Sequence, residues 1–131
     1  MVNHQQVSFQ DIVATFLAAL RDRATAALGQ APRQVVMGRP VFFVDDDPKR
    51  DAQAQQSLLD AAHAVGFEQV SFQLEPIAAA LDHERRLTRE ATVLVVDIGG
   101  GTSDFTVVRL GPQHMAQSDR SSDVLATTGV H

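Results

Sequence analysis

The amino-acid sequence predicts an α/β fold, a parallel βαβα core followed by a Gly-rich β-hairpin. Helical and strand-like hydrophobic periods take turns along the chain, the pattern of parallel strands joined by crossover helices. The triple glycine Gly99, Gly100 and Gly101 leads into another strand pattern and not into a helix, so these glycines belong to a tight β-turn.

Ser8 is a good N-cap, and Ile12, Val13, Phe16, Leu17, Leu20, Ala24 and Leu28 then recur at helical spacing until Gly29 closes an amphipathic helix. Gln34 to Gly38 is a short apolar run between Pro32 and Pro40 and reads as a buried strand. With Asp47 as N-cap and Pro48 at the first helical position, a second helix runs through Leu58, Leu59, Ala62 and Val65 to Gly66. Phe67 to Leu74 alternates as a strand, and Glu75 occupies the apparent N-cap of a third helix that runs from Pro76 through Leu81. Thr92 to Val96 is a continuous apolar strand, which the alternation of elements places parallel to the earlier ones. Ser103 to Leu110 follows the glycines as a strand, and a last strand at about Asp123 to Thr128 completes a hairpin or meander. The polar connection Gln113 to Ser122 is expected to be the most flexible segment.

Composition narrows the function. A chain of 131 residues can bury one modest core, and its apolar and charged fractions of 44% and 21% are those of an ordinary globular protein. The net charge of −5 and the scattered Lys and Arg residues argue against nucleic acid as a partner. The absence of cysteine excludes disulfides and thiolate metal sites and fits a cytoplasmic location. No apolar run approaches the roughly twenty residues of a membrane span, so no membrane partner is expected. His4, His63, His83, His114 and His131 lack metal-ligand spacing and read as surface or helix-face residues. Asp45, Asp46 and Asp47 lack the glycine and alternation of a calcium loop and read as a turn and cap.

The glycine turn carries the sharpest chemistry. Consecutive glycines let backbone N–H groups face one concavity without Cβ obstruction, a geometry that cradles phosphate oxygens, and Thr102 adds a hydroxyl. The other reading is a merely flexible hairpin turn. Asp97 and Asp104 bracket the turn; their hard oxygens suit Mg²⁺, chiefly through retained waters, although either residue could instead be a turn-former or a solvated strand residue. Glu75, at the C-terminal end of its strand, would face the same crevice as Asp97, where α/β sheets bind ligands; alternatively its carboxylate simply complements the helix dipole.

These residues carry a family resemblance. Val95-Val96-Asp97-Ile98-Gly99-Gly100-Gly101-Thr102-Ser103-Asp104 resembles the second phosphate-binding signature of DnaK-type heat-shock chaperone ATPases, and Glu75-Pro76-Ile77-Ala78-Ala79-Ala80-Leu81 resembles their connecting-helix signature. Gly38-Arg39-Pro40-Val41-Phe42-Phe43, Phe72-Gln73-Leu74-Glu75-Pro76 and Leu110-Gly111-Pro112-Gln113 look most like the YegD-like branch. The resemblance implies an actin-like, ribonuclease-H-like ATPase fold of which this chain is a partial domain. Residues 1–97 would form the C-terminal part of the first lobe with the connecting helix, and 98–131 the beginning of the second. It further implies Asp97 and Glu75 as catalytic residues near the metal and attacking water, Gly99 to Thr102 on the β- and γ-phosphates of ATP, Mg²⁺ near Asp97, Asp104 and Glu75, and Pro40 as an interlobe switch. A strand-ending proline is the plainer reading of Pro40.

The family's Asp-x-Gly-Thr-Thr hairpin, catalytic lysine, adenosine motif and peptide-binding domain do not occur in these 131 residues. The chain is therefore expected to be an internal fragment of an ATP-binding, stress-response chaperone whose parent hydrolyses ATP to ADP and acts on client polypeptides, the fragment itself being inactive. The competing expectation is a nucleotide-independent binding or assembly module that keeps the fold and forms a homo-oligomer through its open hairpin edge.

Overall fold

In the computed structural model, which describes residues 8–130, the elements follow in the order α1 (Phe9–Leu28), β1 (Gln34–Arg39), α2 (Pro48–Ala64), β2 (Gln69–Leu74), α3 (Glu75–Glu84), β3 (Ala91–Ile98), β4 (Ser103–Leu110), a one-turn α4 (Pro112–Met115), a 3-10 turn at Ser121–Asp123, and β5 (Val124–Val130). Strands β1 and β2 form a two-stranded parallel sheet, joined by α2, and β3-β4-β5 form an antiparallel sheet. Among the described residues no helix is long and apolar enough to cross a membrane.

Two compact units divide the chain. The first comprises the residues up to Met37 together with Phe42–Ser71. Its helices start and stop where local chemistry dictates. Ser8 and Asp11 form a capping box on α1, and Gly29 ends that helix with φ of 80°, a left-handed conformation that costs glycine little. Asp47 caps α2 by accepting the Arg50 N–H, with Pro48 at the helix start. Helices α1 and α2 pack together, and Ala61, Ala62 and Phe67 are buried.

The second unit comprises Gly38–Val41 and the chain from Phe72 onward. The expected division between Asp97 and Ile98 falls inside it, one residue before the end of β3. Its core forms where α3 lies against the antiparallel sheet, with Ile77 and Ala80 packed on Val108 and Leu110 and flanked by Leu74, Leu87, Val93, Val95 and Val124. Each large aliphatic side chain buried there contributes roughly 1.5–3 kcal/mol. The ladder pairs Ala91 with Leu110 through Ile98 with Ser103, and β5 pairs back on β4 with an irregularity between Val107 and Val108.

Several sequence expectations need correction. The third strand does not extend the parallel pair; β3 pairs antiparallel with β4, its neighbour across a four-residue turn at 99–102. Pairing with β4 is favoured because closing a small loop costs little entropy, and it uses one edge of β3 while the other takes no strand among the described residues. The apolar runs of β1 and β3 are also not buried on both faces: Val36, Leu94, Val96 and Ile98 are exposed, and only alternate residues of β3 turn toward the core. Glu75 is not an N-cap but the first helical residue of α3; Leu74 holds the cap position, with no side-chain cap bond.

The connection expected to be most flexible contains buried ion pairs. Arg120, Glu84 and Asp123 are all but fully buried. Arg120 donates from Nη1 and Nη2 to the two carboxylate oxygens of Glu84 at 3.0 and 2.7 Å, and from Nε to Asp123 Oδ2 at 2.6 Å. Glu84 Oε2 also accepts the Gly111 N–H at 3.1 Å. His114, expected on the surface or on a helix face, lies in the short α4 and is buried: its Nε2 lies 2.7 Å from Glu90 Oε1 and its Nδ1 3.1 Å from Asp123 Oδ1. A polar composition suggested flexibility because the sequence does not display pairing between Glu84 and Arg120 across 36 positions.

The Arg120 hydrogen bonds hold the Glu84 carboxyl below the usual glutamate range, more than offsetting burial, which pushes the other way. A carboxyl with a lowered folded-state pKa stabilises the fold above its unfolded pKa and loses that stabilisation as pH falls through the lowered value. Arg120→Met, which leaves the buried Glu84 carboxylate without its cation and Asp123 with Arg109 Nε, at 3.6 Å, as its remaining arginine, is expected to cost about 3–5 kcal/mol at neutral pH. Urea unfolding should also show a smaller cost at a pH below the folded-state Glu84 value, where that carboxyl is neutral. A pH-independent loss under about 1 kcal/mol would show that the cluster does not hold this connection.

Candidate functional site

The second unit contains every residue singled out in the sequence as a candidate for phosphate or metal chemistry. Glu75 opens α3 directly after β2, Asp97 stands near the end of β3, and Asp104 is the second residue of β4. The register makes Asp97 and Asp104 direct cross-strand partners. Side chains so paired lie on the same face about 4.5–5.5 Å apart at Cβ, and like charges there destabilise a sheet. The Glu75 carboxyl is raised above its ordinary value, first by partial desolvation and then by the negative charges of Asp97 and Asp104. Among the described residues, none of the three forms a salt bridge or a side-chain hydrogen bond.

The glycine turn lies between the two aspartates. Gly99 donates its N–H to the Thr102 carbonyl at 2.9 Å, closing the turn. The amides of Gly100, Gly101 and Thr102 have no intrachain hydrogen-bond partner among the described residues. None of the three glycines adopts a positive φ. A Cβ at Gly100 or Gly101 would project into open space, and one at Gly99 would make only ordinary contact with the Thr102 carbonyl at 3.6 Å. The turn therefore does not need glycine for its own backbone or packing. What the glycines leave is exposed backbone with unused N–H donors, open to close approach by an anion.

Gly38 was not singled out as a site residue in the sequence. It lies in β1, and a Cβ there would come within 3.4 Å of Glu75 Cγ and 3.8 Å of Glu75 Oε1. These are ordinary contact distances, so they place Gly38 against the Glu75 side chain without requiring glycine there. The available signal was a glycine inside a strand pattern, which often marks close approach by another group. Pro40 follows the end of β1, and its carbonyl accepts a hydrogen bond from Arg39 Nε at 3.0 Å while Arg39 Nη2 donates to the Val41 carbonyl at 3.2 Å. It is half-buried, and its recorded hydrogen bonding is to Arg39 and not to the acidic residues.

The sequence matches the Hsp70 protein family over residues 1–124. This chain belongs to the Hsp70 family. It is similar to the chaperone protein HscA of Edwardsiella ictaluri (strain 93-146), 38% identical over 128 residues that are 98% of this chain and 18% of that protein. The chaperone protein dnaK of Emiliania huxleyi is 33% identical over 125 residues, 95% of this chain and 18% of its own length. The chaperone protein HscA of Pectobacterium carotovorum subsp. carotovorum (strain PC1) is 36% identical over 118 residues, 90% of this chain and 17% of its own length. The chain thus spans less than a fifth of the length of these relatives. Its α/β architecture, a parallel strand pair followed by an antiparallel sheet, is that of the family's actin-like ATPase fold.

The acidic cluster of this Hsp70 chain fits a hydrated divalent cation better than a directly ligated one. Among the described residues no three His, Cys, Asp or Glu side chains converge closely enough to hold a metal ion. Mg²⁺ commonly keeps several waters and binds through one or two carboxylates together with phosphate oxygens, which suits three neighbouring acids without a cation of their own. Charge repulsion at such a site costs folding stability. An acid whose pKa is raised on folding adds stability at low pH and loses it as pH rises through the folded-state value, so Glu75→Gln should stabilise this Hsp70 chain at neutral pH. The expected gain is below about 1 kcal/mol, because solvent screens an exposed carboxylate. Thermal melting at neutral pH and at a pH where Glu75 is protonated measures it; an equal gain at both would trace the effect to something other than charge.

Proposed function

We propose that this Hsp70 chain forms one wall of a Mg-ATP cleft, contributing the second phosphate loop and the connecting helix of an ATP-hydrolysing chaperone. The observation that carries the proposal is the pairing of unused amide donors at Gly100, Gly101 and Thr102 with three uncompensated carboxylates in the same unit. Neither half makes sense for the chain alone. Together they suit an anion and a cation bound side by side.

In this reading the amides of Gly100, Gly101 and Thr102 donate to phosphate oxygens, and the Thr102 hydroxyl adds a further donor. Asp97 and Asp104, with Glu75, hold the hydration shell of Mg²⁺, which when bound supplies the positive charge that offsets phosphate and carboxylate repulsion. Glu75, with its raised proton affinity, is the residue suited to hold an attacking water and accept its proton. Pro40, in the same unit as the acidic residues, is proposed as the switch between lobes on the strength of the family resemblance, with the lobe boundary proposed after Asp97. The resemblance of the segments around Pro40, Glu75 and Gly111 to the YegD-like branch supports placing the parent protein there. The chaperone names of its relatives support client polypeptides as partners of that parent.

Phosphoryl transfer needs electrostatic stabilisation from all sides of the transferred group, so these residues by themselves are not expected to turn ATP over. A second reading, a nucleotide-independent assembly module, is favoured by one observation. Phe9, Ile12, Phe16 and Leu20 form an exposed apolar stripe on α1 at helical spacing.

Calorimetric titration of Mg-ATP into this chain and into the full-length parent, with Asp97→Asn and Glu75→Gln parents assayed for hydrolysis, separates the two. The expected result is binding and turnover by the parent, at least a 100-fold loss of turnover in each variant by roughly the scale of removed acid-base or electrostatic groups, and weak or no binding by this chain. A parent that neither binds nor hydrolyses ATP would leave the assembly module as the function.

A further inference from the structure

Away from the acidic cluster, the first unit holds a groove of about 810 Å³ whose lining includes Arg21, Gln30, Arg33, Gln34, Gly66 and Glu68. Its charge is unbalanced. Arg33 Nε lies 3.9 Å from Glu68 Oε1 with both side chains largely exposed, a weak pairing that accounts for one positive and one negative charge. Arg21 has no such partner: among the described residues it makes no ion pair, and its Nε is buried with no hydrogen-bond acceptor.

Arg21 is also held in place. Its guanidinium carbon sits 5.8 Å from the centroid of the buried Phe67 ring, within cation–π range. Gly66, with φ of 109°, packs so closely that an added Cβ would stand 3.0 Å from Arg21 Cζ and 3.2 and 3.3 Å from its two terminal nitrogens. With the Nε–H shut inside and lacking an acceptor, the charge can be met only through the terminal nitrogens at the groove. A planar fork whose rotamer freedom is already spent loses little on gaining a ligand, and its geometry matches the oxygens of a carboxylate or phosphate. Gln30 adds a neutral amide along the same wall, and the Gln34 amide already donates to Gln69 Oε1 at 2.5 Å.

We propose that this groove is a binding site for a small oxyanion, phosphate or carboxylate, held end-on by the Arg21 guanidinium with Arg33 as the second cation. The site lies in the first unit and is independent of the nucleotide reading, so either proposal can fail alone.

The test uses protein labelled with ¹⁵N-arginine and follows the assigned Arg21 Nε–Hε resonance as inorganic phosphate or succinate is added at constant ionic strength, with chloride as the reference salt. The expected result is a saturable shift with phosphate, succinate or both and none with chloride; the responding salt identifies the source of the oxyanion. Arg33→Gln, at an exposed position and so not required for folding, should weaken binding roughly tenfold, the scale of one hydrogen bond to a charged group. Arg21→Gln, checked for folding by thermal melting, should abolish the saturable response of neighbouring backbone amides. A response that grows linearly, that chloride reproduces, or that Arg33→Gln leaves unchanged overturns the proposal.

Discussion

The burial of Ile77 and Ala80 against Val108 and Leu110 holds helix α3 on the antiparallel sheet, and the geometry of the second unit follows from that contact. The helix has ten residues, about 15 Å, with a glutamate at each end. Because the helix is rigid, seating its middle places both carboxylates. Glu84 enters a buried fork with Arg120, while Glu75 arrives beside Asp97 and Asp104 with no cation to meet it.

The two ends therefore have opposite electrostatic characters. At Glu84 the surrounding groups favour the charged form and hold the proton off; at Glu75 they favour the neutral form and hold the proton on. One arrangement is what a structural ion pair looks like. The other is under tension in the protein alone, and such tension is relieved by a bound charge, as expected of a working site.

Local chemistry made part of this legible in the sequence. Ser8, Gly29, Asp47 and Pro48 act within a few residues of themselves, so their caps and stops could be read directly. Asp97, the glycines and Asp104 lie within eight positions, so a hairpin turn between them put the two aspartates opposite each other. What could not be read depends on distant partners. Arg120 looked like one residue in a polar loop because Glu84 is 36 positions away, and His114 looked superficial because Glu90 is 24 away. The apolar run of β3 suggested burial on both faces, yet composition does not reveal which face a neighbouring element will cover, and Leu94, Val96 and Ile98 remain open. Gly38 lies against Glu75, a side chain that follows it by a whole helix and strand.

The Glu84–Arg120–Asp123 cluster has a further consequence for how such a sequence can vary over generations. A neutral replacement of Arg120 leaves Glu84 buried without a cation and a charge reversal at any of the three sets like against like, whereas a neutral replacement of either acid leaves Arg120 the other. Loss of Arg120 is therefore the costly single step, and it is offset when Glu84 changes with it. Glu84 and Arg120, 36 positions apart, are thus tied to one another over generations, whereas Asp123, with Arg109 as a second cation, is freer to vary.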